Sequence, residues 1–127
     1  LSNTGTAPVA LSDITLRYWY TRDGAQSQTY RCIFARRGCT YVTGTIGALG
    51  SPACTADSYV ELGFKPGAGS LTEGARSIGL DSQITRGDGS SYDETNDYSY
   101  DPTKTAFADW SNITLCRNGV LVWGTEP

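Results

Sequence analysis

The sequence predicts an all-β fold, a sandwich or a barrel, and three observations carry that expectation. Strand-like segments recur at short, regular intervals, each bounded by turn-forming residues. No stretch shows a sustained helical period. Near the end, Asn118-Gly119 stands between two runs of β-formers, the strongest short-range signal for a hairpin.

The elements follow in order. In Ile14–Thr21, residues Ile14, Leu16, Tyr18 and Tyr20 fall on one face and Thr15, Arg17, Trp19 and Thr21 on the other. The first face reads as core. The second sets an arginine beside a tryptophan, which suits either a sugar-stacking surface or an amphipathic cover. Further strands are expected at Gln28–Phe34, Tyr41–Leu49, Ser58–Phe64 and Arg76–Ile84. Turn clusters at Arg22-Asp23-Gly24, Gly50-Ser51-Pro52 and Lys65-Pro66-Gly67-Ala68-Gly69 separate several of them. Gly87–Ser91 is the most flexible-looking stretch, and an acidic patch follows it. The last two strands, Ile113–Arg117 and Val120–Trp123, flank Asn118-Gly119. A type I′ turn needs positive φ at both central positions, which these two residues adopt at least cost. A two-residue turn pairs Cys116 with Leu121, Leu115 with Val122 and Thr114 with Trp123.

Composition narrows the function. The 127 residues make one domain spanning 1–127, and 39% hydrophobic against 18% charged residues is a globular balance. A net charge of −3 and the lack of a basic stripe argue against nucleic acid; Arg31, Arg36 and Arg37 read as solvated edge charge. No apolar run reaches the length of a membrane span. The chain has no histidine, so it can form no Ser-His-Asp triad, Cys-His dyad or histidine-ligated zinc. Its acidic residues cluster in loops rather than as the opposed pair of a glycosidase, so catalysis is not expected. Four cysteines in a short, acidic, tyrosine-rich chain point to an oxidising compartment and a secreted, extracellular protein. They admit three pairings, and a four-cysteine metal site would normally show Cys-x-x-Cys knuckles. No signal peptide is recognisable, and because Leu1 opens in mid-pattern the natural chain is expected to begin upstream.

Two loops, Thr21-Arg22-Asp23-Gly24 and Asp93-Glu94-Thr95-Asn96-Asp97, offer the carboxylate, amide and carbonyl oxygens that calcium takes, though neither is an EF-hand loop. Arg86-Gly87-Asp88 spells an integrin-type tripeptide that reads as chance in a Gly/Asp-rich turn. Asn112-Ile113-Thr114 is a glycosylation sequon at a strand start.

Several words in a fixed order carry a resemblance over nearly the whole chain: Asn3-Thr4-Gly5, the run TLRYWYTRDG over 15–24, Cys-x6-Cys at Cys32 and Cys39, ADSYVELGF over 56–64, NDYSY over 96–100 and VLVWGTEP over 120–127. Together they resemble the family 3 carbohydrate-binding modules, secreted β-sandwiches that accompany cellulases and cellulosomal scaffolds. The resemblance implies an antiparallel β-sandwich of jelly-roll topology with no catalytic activity. It implies a polysaccharide partner, cellulose or a related glucan, and a neighbouring catalytic domain. It also implies a Cys32–Cys39 disulfide, which leaves Cys54 to pair with Cys116. For calcium the matching positions are Thr21 (through its carbonyl), Asp23, Asn96 and Asp97, with Asp93 where a further oxygen ligand is expected.

The cellulose face departs from the family pattern. Where members carry Asp and then an aromatic or histidine after the first cysteine, this chain has Ile33 and Phe34. Gln83 stands for an arginine and Gly89 for a tryptophan, so the flat crystalline-cellulose site is expected to be degraded, with Phe34 keeping some stacking capacity. A shallow groove on the opposite sheet would be matched by Arg17, Trp19 and Tyr98, for which edge packing is the structural alternative. The other functional reading is a structural or protein-contact module that keeps the sandwich and has lost the glycan. Members usually carry about twenty residues before the Asn-Thr-Gly turn, and a late start would expose a strand edge.

Overall fold

The computed structural model describes residues 1–75 and 79–127. Among the described residues nine strands form, β1 Val9–Ala10, β2 Ile14–Tyr20, β3 Gln28–Ala35, β4 Val42–Ala53, β5 Ala56–Phe64, β6 Ser70–Leu71, β7 Leu80–Arg86, β8 Ile113–Arg117 and β9 Val120–Trp123. Among the described residues the only helical turns are 3₁₀, and no helix is long and apolar enough to cross a membrane. β4, β5, β2, β8 and β9 lie side by side, in that order, in one sheet; β3 pairs with β7 in a second, and β1 with β6 in a third. Every pairing is antiparallel. The expected segments Ile113–Arg117 and Val120–Trp123 appear with the expected ends and the others with shifted ends, residues 76–78 of the Arg76–Ile84 segment lying outside the described residues.

The core gathers where the sheets meet. Leu11, Ala35, Val42, Phe64, Ala68 and Leu71 are buried together, with Leu16, Tyr30 and Leu80 packed against them. Burial of that apolar surface is the main force holding the layers together. Contact between them is close enough to require glycine at position 44, where a Cβ would lie 2.1 Å from the Tyr30 ring. Beside the core a cleft of about 670 Å³ opens, lined by Leu16, Tyr18, Tyr30, Leu62, Ile84 and Tyr92 among others.

Two sequence expectations need correction in the terminal hairpin and in β2. Asn118 and Gly119 have φ of 50° and 78°, the type I′ signature, and Cys116 does face Leu121. Leu115, however, faces Trp123 rather than Val122, because a bulge adds one residue to β9. In β2 the expected outward face is not outward at its end. Trp19 is 3% exposed, covered by Tyr59 with ring centroids 5.2 Å apart, and its indole N–H donates to Thr114 Oγ1 at 3.1 Å.

The cysteines divide. Cys32 and Cys39 form a disulfide at the end of β3, whereas Cys54 and Cys116 are free thiols, the first exposed and the second buried. The expected Cys54–Cys116 bond is thus wrong, for a reason of register. Cys116 faces Thr15, which in turn faces Gly63 of β5, while Cys54 sits in the turn joining Ala53 to Ala56 at the far end of that strand. Seven residues of β5 at about 3.3 Å each put the two thiols some ~20 Å apart along the sheet. A disulfide needs Cα atoms within about 7 Å.

Candidate functional site

The end of β2 delivers Thr21 and Asp23 to the loop that holds Asp93, Asn96 and Asp97. Asp97 accepts the Thr21 backbone N–H at 2.9 Å on Oδ1 and the Tyr18 hydroxyl at 3.2 Å on Oδ2. Asp23, at φ 56°, accepts Asn96 Nδ2 on one oxygen and the Asp93 backbone N–H on the other, each at 2.8 Å. Thr21 Oγ1 lies 3.0 Å from the Thr55 carbonyl and 3.3 Å from that of Asn96. Thr21, Asp23, Asn96 and Asp97 are therefore brought together. Asp93 joins them only through its backbone, since its carboxylate accepts the N–H and hydroxyl of Thr95.

Two features bear on what this cluster could hold. Asn96 Oδ1 is buried without a hydrogen-bond partner. The Asp97 carboxyl is pushed up to about 6, first by burial and further by the negative charges of Asp23 and Glu94. Among the described residues no three Cys, Asp or Glu side chains converge as a metal-holding group. The available donors are instead two carboxylates, one orphaned amide oxygen and backbone carbonyls. An all-oxygen set of this kind fits a hard cation such as calcium.

A second candidate surface is the outer face of the β3–β7 pair. Phe34 is 56% exposed and faces Asp81 across the pair. Arg31 faces Gln83, and Thr29 faces Thr85, all with exposed side chains. Ile33, 46% exposed, is the extra residue of a bulge between Cys32 and Phe34. One planar ring thus stands in a row with a guanidinium, an amide and a carboxylate. The sequence alone named Phe34 and Gln83 for this face and not Arg31 and Asp81, which come beside them only through the cross-strand register. Gly89, in the loop beyond β7, has φ 74°.

The opposite groove is not what its residue types suggest. Trp19 is buried and has no face to offer a sugar, so its place in a glycan surface is withdrawn. Arg17 sits 4.8 Å over Tyr59 and 5.5 Å over Trp19, and its guanidinium pairs with Glu61 at 2.7 Å and Glu126 at 3.3 Å. Tyr98 donates its hydroxyl to the Thr125 carbonyl at 3.2 Å. These contacts tie central strand β2 to β5, and both Arg17 and Tyr98 to the C-terminal segment. Two smaller motifs are also absorbed by packing: Arg86 turns inward to the carbonyls of Arg22 and Asp23, and Asn112 Nδ2 donates to the Tyr98 carbonyl at 2.8 Å.

The cellulose binding domain family matches residues 1–124. Endoglucanase A of Paenibacillus lautus is 40% identical over 127 residues, covering all of this chain but 18% of its own length. A biomass-sensing module of Clostridium thermocellum, described as resembling the family 3 carbohydrate-binding module of the cellulosome, superposes with a TM-score of 0.93 at 39% identity, over 98% of this chain and 82% of its own. The CBM3b of the major scaffoldin subunit of Acetivibrio cellulolyticus superposes with a TM-score of 0.94 at 32% identity, over 99% of this chain and 82% of its own. The chain therefore spans less than a fifth of that endoglucanase and belongs, as a non-catalytic jelly-roll β-sandwich, to the family 3 carbohydrate-binding modules.

Proposed function

We propose that this module holds its parent protein against cellulose or a related plant-wall glucan through the outer face of β3–β7, and that it does so weakly. The observation that carries the reading is the exposed Phe34 ring in line with Arg31, Gln83 and Asp81. A pyranose face stacks on the ring, and the flanking polar groups hydrogen-bond its hydroxyls. Ile33 and Gly89 stand where the family pattern has a carboxylate and a second flat ring, so fewer contacts form. Adsorption isotherms on microcrystalline and amorphous cellulose test this: weak, saturable binding is expected, and tight binding to crystalline cellulose would require a surface other than this one. Relatives that are cellulases support an extracellular setting beside a catalytic domain.

The loop cluster would hold calcium through Asp23, Asp97, Asn96 Oδ1 and the Thr21 carbonyl, with the Asp93 backbone N–H holding the Asp23 carboxylate in place. The ion would supply the positive charge that two close carboxylates want and tie the end of β2 to the 93–97 loop. A ligand bound only by the folded state stabilises it by about 2.7 kcal/mol at a hundredfold excess over Kd. Melting in calcium and in chelator tests this, and identical curves would refute it.

A second reading, a protein-contact module without glycan binding, is favoured by β9. Val120, Leu121, Val122 and Trp123 are 65, 43, 54 and 49% exposed on an edge strand. Contiguous exposed apolar surface of that kind marks a contact site. Absence of adsorption to every glucan tested, with capture of a protein partner lost on Val120→Lys, would establish it.

A further inference from the structure

The arginine of the Arg-Gly-Asp tripeptide has a use that its motif does not suggest. Arg86 closes β7, and its guanidinium reaches across to both segments of the proposed calcium site. Nη2 donates to the Arg22 carbonyl at 2.9 Å and also to the Asp23 carbonyl. Nη1 donates to Ser90 Oγ and to the Ser91 carbonyl, both at 3.0 Å. The same group sits over the Tyr92 ring, 4.8 Å from guanidinium carbon to ring centroid. That ring is itself fixed, by Gln28 Nε2 on its hydroxyl at 2.7 Å and by Tyr20 packed edge-on at 5.8 Å. One planar fork therefore joins the turn after β2 to the loop that leads into Asp93, Asn96 and Asp97.

The turn needs such a hold. Asp23 adopts φ 56°, a left-handed conformation that a residue with a Cβ visits at a cost. In that conformation its carboxylate meets Asn96 Nδ2 and the Asp93 N–H while its carbonyl points to Arg86. Arg86 thus occupies the carbonyl side of the turn and leaves the carboxylate side to the metal.

We propose that Arg86 is the positioning residue of the cation site: it sets the Thr21–Asp23 turn and the 90–97 loop in register before the ion binds. The inference rests on the calcium reading above. Two effects oppose each other. The fixed guanidinium charge repels a cation, whereas the fork removes the ordering that binding would otherwise have to impose. The fork prevails, because four N–H bonds and a stacked ring immobilise both segments, and partners that orient ligands in this way are typically worth about 10- to 100-fold in metal affinity. A lysine keeps the charge but replaces the fork with a point donor.

Calcium titration calorimetry on chelator-treated wild type, Arg86→Met and Arg86→Lys decides the matter, with metal-free melting curves alongside. Wild type binds one calcium, Arg86→Met loses about tenfold or more in affinity, and Arg86→Lys falls at least severalfold despite its retained charge. Equal affinity in wild type and Arg86→Met overturns the positioning role and leaves the calcium site standing. Tighter binding by Arg86→Met overturns it too, showing that charge repulsion dominates. No calcium binding by wild type overturns the calcium reading and this inference together. Should Arg86→Met fail to fold, Arg86→Lys carries the test: wild-type affinity in that variant refutes the fork.

Discussion

Truncating Phe34 to alanine removes the one planar ring on the proposed glucan face. The ring has about 200 Å² of surface to cover. With 56% exposed, about half of the open area, some ~55 Å², lies on the side a pyranose can reach. At about 25 cal/mol per Å² that contact is worth ~1.4 kcal/mol. The oriented aromatic contact adds about 0.5–1 kcal/mol. Phe34→Ala should therefore lose about 2 kcal/mol of binding, roughly a 30-fold fall in affinity. The packed side of the ring, 3.2 Å from where a Cβ on Gly79 would lie, contributes to folding, so the melting temperature should fall modestly and independently of glycan. Depletion isotherms on amorphous and microcrystalline cellulose, read beside thermal melts, separate the two effects. Wild-type adsorption by a folded Phe34→Ala variant would refute the assignment of this face.

Four further outcomes are expected. Gln83→Arg with Ile33→Asp should strengthen adsorption to crystalline cellulose; adding Gly89→Trp should help less than its ring area suggests, because φ 74° there costs a tryptophan about 1 kcal/mol. Thiol titration should find one reactive cysteine in the native protein, Cys54, and a second, Cys116, only after unfolding without reductant; no free thiol would restore the Cys54–Cys116 bond. Trp19→Phe should destabilise the fold by about 2 kcal/mol, since it strips the partner from a Thr114 hydroxyl that is 1% exposed, while glycan affinity stays unchanged; lost binding at unchanged stability would return Trp19 to the glycan surface. Asp97→Asn should abolish the calcium-dependent rise in melting temperature, and a rise equal to wild type would exclude Asp97 as a ligand.

Local chemistry was legible from the residues alone wherever it is short-ranged. Alternation and turn residues located β2, β3, β5 and the terminal hairpin, because strand period and φ preference are properties of a few adjacent residues. The Cys32–Cys39 bond came from the family resemblance rather than from spacing, and it forms between the bulged end of β3 and the turn that follows. The pairing of Cys54 with Cys116 rested on remainder alone, and remainder has no geometry. The β9 bulge escaped notice because the Asn-Gly turn specifies register only for the pairs next to it.

Other assignments depended on which strands lie beside which. The alternation of β2 marks Trp19 as an outward residue, yet Tyr59 from β5, Thr114 from β8 and the Ser99 loop close over it. Burial of a side chain is decided by neighbours distant in sequence, and a strand pattern carries no record of them. In the same way Arg31 opposes Gln83 and Phe34 opposes Asp81 only through the β3–β7 register, which joins positions some fifty residues apart. The sequence by itself determined the family, the all-β class and the oxygen-rich loops near Thr21 and Asn96. Tertiary structure alone decided that Cys54 and Cys116 stay apart, which aromatic residues remain open to a ligand, and that Arg86 spans the two loops, because each of these is a distance between segments brought together by folding.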